Sequence, residues 1–370
     1  MNRPIAFALA VSGLCLCSPL RADDAEDKAV AFVEKLGGTV TRDEKAPGRP
    51  VVGVNLSGLP VADADLKALA AFPNLTALDL GDTPVTDAGL KELAALKRLT
   101  SLGLCQTKVT GAGLKHLAAL PQLAALDLAH SQATDADLKG VAALTNLTEL
   151  RLASTKVTDA GLKDLAPLAK LAVLRLDFTK VTDAGLKHLA ALTNLTELGV
   201  IEGQVTDAGL THLSALTKLT TLELALTEVT DAGLTHLSAF PNLTALELAC
   251  TKVTDAGLKH LAGLKRLTRL GLHSTKVTDA GLKHLTSFEH LTRLDLGHSQ
   301  VTDAGLKELA VLKNLTALDL SNTSVTDTGL KSLAAQKNLA RLYLMETQVT
   351  DTGVKELRRA LPKCQITKLP

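Results

Sequence analysis

Leu75 to Arg98 reads LTALDLGDTPVTDAGLKELAALKR, and the pattern of these 24 residues recurs along almost the whole of the 370-residue chain. The Asp of its Val-Thr-Asp-Ala-Gly-Leu block returns every 24 residues from Asp63 to Asp351, thirteen copies without insertion or deletion, with Gly111 in its place once. A fixed period of about 20 to 50 residues marks a solenoid, in which each unit leaves an apolar face that only its neighbours cover. The unbroken phase overrides the two or three globular domains that length alone suggests and predicts one elongated repeat domain.

Within the repeat, Leu75, Leu78 and Leu80 point one way while Ala77, Asp79 and Gly81 point the other, the period-2 pattern of a short strand with one buried face. Thr86 or Asp87 is a helix N-cap, and Leu90, Leu93 and Leu96 continue an apolar stripe over about nine residues. Each turn of the solenoid is therefore strand, turn, short helix, turn.

The segment Leu75-x-x-Leu78-x-Leu80-x-x-Thr83-x-Val85 resembles the signature of leucine-rich repeat proteins, over roughly Val51 to Leu361. It departs from that signature at the ninth position, where the family usually has Asn or Cys and this chain has hydroxyl residues such as Thr83, Thr107, Ser131 and Thr155. A hydroxyl there is expected to bond backbone groups of the next turn, with fewer bonds than an amide. The Val-Thr-Asp-Ala-Gly-Leu block also resembles repeats of secreted bacterial proteins, the long planctomycete arrays in particular, and more loosely the ribonuclease-inhibitor-like superfamily. The resemblance implies an α/β leucine-rich repeat solenoid, a curved horseshoe of about 13 repeats with a parallel sheet on the concave face and short helices on the convex face. Such arrays usually bind proteins.

Outside the array, residues 1–22 read as a secretory signal: Arg3 gives a positive start, Ile5 to Ser18 an apolar run, and Leu20-Arg21-Ala22 a small residue before Asp23. Cleavage after Ala22 implies a secreted or periplasmic protein with no membrane span once the signal is removed. Cys15 and Cys17 lack the small residue before them that a lipobox requires. Residues 23–50 are expected to form an N-terminal capping helix and linker, with Ala29, Phe32, Val33 and Leu36 on one face and Gly37-Gly38 as its stop. The repeats then span 51–361, and 362–370 form a C-terminal cap. Forty basic residues against 39 acidic ones leave no electrostatic footprint for nucleic acid or an anionic membrane. Cys105 and Cys250 lie six repeats apart, roughly 29 Å at about 4.8 Å per strand, out of disulfide reach.

Two periodic features of the surface carry bland readings. His116, His188, His212, His236, His260 and His284 occupy one helix position, but units packed about 8 to 10 Å apart do not converge on a metal, so the stripe is solvated surface and no metal or other cofactor is expected. The Asn-Leu-Thr triplets beginning at Asn74, Asn146, Asn194, Asn242 and Asn314 match the glycosylation sequon, yet recur because the repeat does and read as turn chemistry.

Binding information belongs where the copies vary, at the second, third, fifth, seventh and eighth positions of the strand segment. An acidic middle of Glu197, Glu202, Glu223 and Glu247 lies between Arg151 and Arg175 on one side and Arg269 and Arg293 on the other, a zoning suited to orienting a charged partner. Arg341, Tyr343 and Met345 share one strand near the C-terminal end, and Phe178 is the other aromatic of this face. These eleven residues other than Glu202 are the candidate partner-binding set. Ser274 and His298, expected about 5 Å apart on adjacent strands, hint at a nucleophile and base, but an open ladder offers no pocket and no oxyanion site, so no catalytic residue is assigned. The sequence thus reads as a non-enzymatic, monomeric recognition scaffold for an unknown protein. An envelope-glycan module and a structural assembly protein are the alternatives.

Overall fold

The computed structural model describes residues 22–368, so the secretory signal read in residues 1–22 lies, but for Ala22, outside the described residues. The described chain forms one sheet of fifteen strands in sequence order. They are β1 (Thr39–Arg42), β2 (Val51–Asn55), β3 (Ala77–Asp79), β4 (Ser101–Gly103), β5 (Ala125–Asp127), β6 (Glu149–Arg151), β7 (Val173–Arg175), β8 (Glu197–Gly199), β9 (Thr221–Glu223), β10 (Ala245–Glu247), β11 (Arg269–Gly271), β12 (Arg293–Asp295), β13 (Ala317–Asp319), β14 (Arg341–Tyr343) and β15 (Gln365–Thr367). From β2 onward every pair is parallel, and between repeats each residue faces the one 24 positions on, as Leu78 faces Leu102. This is the single elongated solenoid that the period predicts, with the parallel sheet that the resemblance implies.

Each repeat strand is short because only its third to fifth positions pair regularly before the chain turns. The leucines at positions one, four and six point inward: Leu75, Leu78 and Leu80 are 0–2% exposed. With Val85, Leu90 and Leu93, and their counterparts in every repeat, they build one continuous apolar column. The expected nine-residue helical stripe divides into an α-turn, Asp87–Leu90, and a 3-10 turn, Lys91–Ala95.

The turn after the strand holds a feature that the sequence conceals. Its eighth position adopts φ of 53° to 57° without a glycine in the twelve repeats from Asp82 to Glu346, and only the first repeat places a glycine there, Gly58 at 74°. That left-handed conformation costs roughly 1 kcal/mol for an L-residue. In return it aims the N–H at the next repeat, so that Asp82 donates to the Cys105 carbonyl at 2.7 Å and Gln106 to Ala129 at 2.8 Å, extending the ladder past the strand.

The ninth-position hydroxyls correct the expectation set for them. Thr83 donates to the carbonyl of Leu80 in its own turn at 2.6 Å, and Thr155 does the same to Leu152. A one-carbon hydroxyl is too short to cross to the next repeat, so it closes the turn locally.

On the helix side the hydrogen bonds between repeats come instead from the block Asp. Thr86 is the N-cap, accepting from Ala88 N at 3.3 Å, while the Asp87 carboxylate reaches forward to accept the Thr110 N–H and hydroxyl, both at 2.7 Å. The same pair of bonds forms eleven times along the described array. The carboxylate also packs on the next repeat's Gly113, where a Cβ would stand 2.3 Å from Oδ1, so this glycine is required by close approach. At the one interruption, Gly111, a substitute is present: Asp137 replaces the block glycine, accepts the Thr134 N–H at 2.7 Å, and accepts the Gly111 N–H at 2.6 Å.

At the N-terminal end α1 (Ala22–Lys35) buries Ala29 and Val33 against the first repeat. The segment expected only to link helix and array also supplies β1, antiparallel to β2, and Arg42 ties it to Glu26 of α1 at 3.0 Å. At the other end the helix Asp351–Ala360 leads into β15, which covers β14.

Candidate functional site on the exposed sheet face

Because positions four and six of each strand segment are spent on the core, positions three, five and seven stand on the opposite face. Repeat stacking turns them into rows across the sheet. The third-position row includes Glu149, Glu197, Arg269, Arg293 and Arg341; the fifth includes Arg151, Arg175, Glu223, Glu247, Asp295, Asp319 and Tyr343.

In the N-terminal half the expected zoning is internally neutralised. Arg151 Nε donates to Glu149 at 2.6 Å. Arg175 donates through Nε to Asp177 at 2.7 Å and through its terminal nitrogen to Glu223, two repeats away. It spans that distance because Gly199 lies between them with no side chain; a Cβ there would sit 2.6 Å from Arg175 Nε. Burial works against the Arg175 charge, but the bonds to Glu223 and Asp177 outweigh it and hold its pKa above the usual value. Arg151, Arg175 and Glu223 thus form closed ion pairs, and Asp177 joins them from the variable seventh position, where it was not among the candidates. Glu197 is half-buried in the next row.

The C-terminal half differs. Arg269, Arg293 and Arg341 are exposed, and none forms an ion pair among the described residues. One row along stand Glu247, Asp295 and Asp319. Burial pushes the Glu247 pKa up, opposed by the Ala249 N–H that donates to it at 3.0 Å. Asp295 is also raised, by burial first and then by the neighbouring Asp319 charge, while the Gly297 N–H and His273 pull it back. A depression of about 420 Å³ lies over β9–β14, bounded by Glu247, Arg269, Arg293, Asp295, Asp319 and half-buried Tyr343. Asp295 and Asp319 complete this surface and were not in the sequence-derived set; their place in the fifth-position run was the available signal. Met345 is half-buried beside Tyr343, whereas Phe178, half exposed, sits on the left-handed turn, two repeats before the equally exposed Leu226.

The hinted catalytic pair does not form. His298 packs edge-on against His273 with ring centroids 4.7 Å apart, and no hydrogen bond joins it to Ser274 among the described residues. Cys105, Cys250 and Cys364 form no disulfide with one another. Among the described residues no group of three or more His, Cys, Asp or Glu could hold a metal ion, and no helix is long and apolar enough to cross a membrane. The sequon asparagines are engaged between repeats: Asn146 donates to the Pro121 carbonyl and accepts from Lys170, both at 2.7 Å.

A family model described as a leucine-rich repeat matches residues 73–94, 143–166, 215–238, 241–262, 289–310 and 311–334. No curated protein sequence matches the chain. Among solved structures, an internalin (InlF) from Listeria monocytogenes is 24% identical over 95% of this chain and 98% of its own, with a TM-score of 0.66. A leucine-rich repeat protein of Leptospira interrogans is 20% identical over 85% and 89%, with a TM-score of 0.52. The functional domain of InlJ from Listeria monocytogenes, which includes a cysteine ladder, is 20% identical over 82% and 64%, with a TM-score of 0.54. At such identities the likeness is one of fold, and it agrees with the 24-residue period, the parallel ladder and the leucine column: the chain is a leucine-rich repeat protein.

Proposed function

We propose that this chain is a non-enzymatic scaffold, exported to the periplasm or cell exterior and monomeric, that binds a protein partner through the exposed face of its sheet. The observation that carries this reading is the contrast between positions. The inward leucines scarcely change over the array, whereas the third and fifth positions carry Ala, Ser, Thr, Val, Gly, Asn, Glu, Asp, Arg or Tyr from one repeat to the next. Stacked repeats offer extended surfaces typical of protein–protein interaction. The positive start and apolar run of residues 1–22 support export. Only two aromatics, Phe178 and Tyr343, stand on or beside this face, which disfavours a sugar-stacking glycan site.

The test is affinity capture from envelope and culture fractions of the native host. Wild type is compared with a sheet-face variant, R269E/R293E, and a helix-side control, K187E/K259E. Capture of the same protein by wild type and control, with at least tenfold less on the sheet-face variant, is expected. Equal loss from the control would move the site to the helix side, and capture of glycan alone would replace the reading.

A further inference from the structure

We propose that the sheet face over β11–β14 is a two-rowed cradle for an extended polypeptide segment of mixed charge. Arg269, Arg293 and Arg341 receive its acidic edge, and Asp295 and Asp319 its basic or hydrogen-bond-donating edge. The inference rests on the reading of this face as protein-binding and adds the chemistry of the partner.

The repeat does not need these arginines, since the equivalent position holds Ala77, Ser101, Ala125, Thr221, Ala245 or Ala317 elsewhere. Arg269 and Arg293 face each other in register on neighbouring strands, where like charges repel. The other two arginines of this face, Arg151 and Arg175, are each in contact with a carboxylate, whereas among the described residues Arg269, Arg293 and Arg341 are not. Like charges set side by side on an exposed face, with no carboxylate in direct contact, mark a surface fitted to something outside the chain. The row of acids excludes a simple polyanion as that occupant. It runs two residues along the strands from the arginine row, about 7 Å away, within the ionic screening length of about 8–10 Å, so a sulfated glycan or a nucleic acid on the arginines would also lie against Asp295 and Asp319. An extended chain crossing the strands avoids that conflict, because its alternate side chains point to opposite edges. Three strand spacings separate Arg269 from Arg341, about 14 Å, the length of about four to five extended residues.

The experiment is a selection of random twelve-residue peptides displayed on phage against the whole chain, followed by binding of the enriched peptides in solution. Peptides that alternate acidic with basic or amide residues are expected. Their affinity should fall at least tenfold on R269E/R293E and on D295N/D319N, and a peptide with its acids changed to Lys should recover binding to R269E/R293E. Asn keeps the carbonyl oxygen that accepts the Gly297 and Ser321 N–H groups; R269Q/R293Q serves if reversal lowers the melting temperature. Uniformly acidic peptides, no enrichment, or binding indifferent to both pairs would overturn the cradle. Peptides lost only on F178A/L226A would overturn it while leaving the sheet face a protein-binding surface, whereas heparin bound to the arginines with no peptide enriched would sink both readings.

Discussion

Gln336 stands where the repeats before it place Leu or Phe, as in Leu96, Phe240 and Phe288, and it is fully buried. Its amide nitrogen donates to the Leu309 carbonyl at 2.7 Å, but its Oε1 meets no donor among the described residues. An unpaired buried amide oxygen costs about 1–3 kcal/mol, partly offset by the bond to Leu309. Gln336→Leu is therefore expected to stabilise the chain by about 1 kcal/mol, seen as a higher urea midpoint at unchanged slope. A lower midpoint would show that the Leu309 bond dominates. At this scale the core was legible, because in a strict period burial follows position and even Phe240 and Gln336 could be placed by counting. The left-handed eighth position was not: Asp82, Phe178, Leu226 and Cys250 share no propensity, and their φ is imposed by the next repeat's carbonyl. Nor could counting show that Arg175 reaches Glu223 over Gly199, since that bond depends on what the intervening repeat lacks.

Between elements, the Asp–Thr–Gly device sets how one helical turn sits on the next, and the exception at Gly111 tests it. Gly111→Asp alone puts a Cβ 2.1 Å from Asp137 Oδ1 beside a second carboxylate; overpacking of this kind costs about 1–3 kcal/mol. Asp137→Gly alone strips the Thr134 N–H and hydroxyl of their acceptor, again about 1–3 kcal/mol. The double variant rebuilds the arrangement used everywhere else and should return close to wild type. The double-mutant cycle from denaturant curves then shows a coupling of about 2 kcal/mol or more; additive losses would mean that the two positions act independently. The block itself was plain in sequence, but its partner one turn away was not, because a periodic sequence does not say which neighbour a side chain addresses. β1 was missed for a related reason: Thr39–Arg42 has no copy elsewhere, and its antiparallel pairing with β2 leaves no period to count.

Across the whole molecule stability is close to a sum over repeats and their contacts. Excision of Asp207–Thr230 joins Thr206 to Asp231 with every in-register bond type preserved. The shortened protein should fold with the same circular dichroism per residue, and its urea slope should drop by roughly a thirteenth, in proportion to the surface lost. Collapse of the fold would show that the array needs long-range contacts absent from the nearest-neighbour picture. The forward reach of the block Asp also gives the array a direction in time. Every carboxylate waits for a threonine 23 residues downstream, and the last, Asp351, meets Lys368 at 2.8 Å instead. During synthesis, at about 5–20 residues per second, each finished repeat presents an acceptor for several seconds at most before its threonine emerges. Emergence order and bonding order coincide, so a chain leaving a ribosome or a translocation channel amino end first meets each turn after the one that catches it.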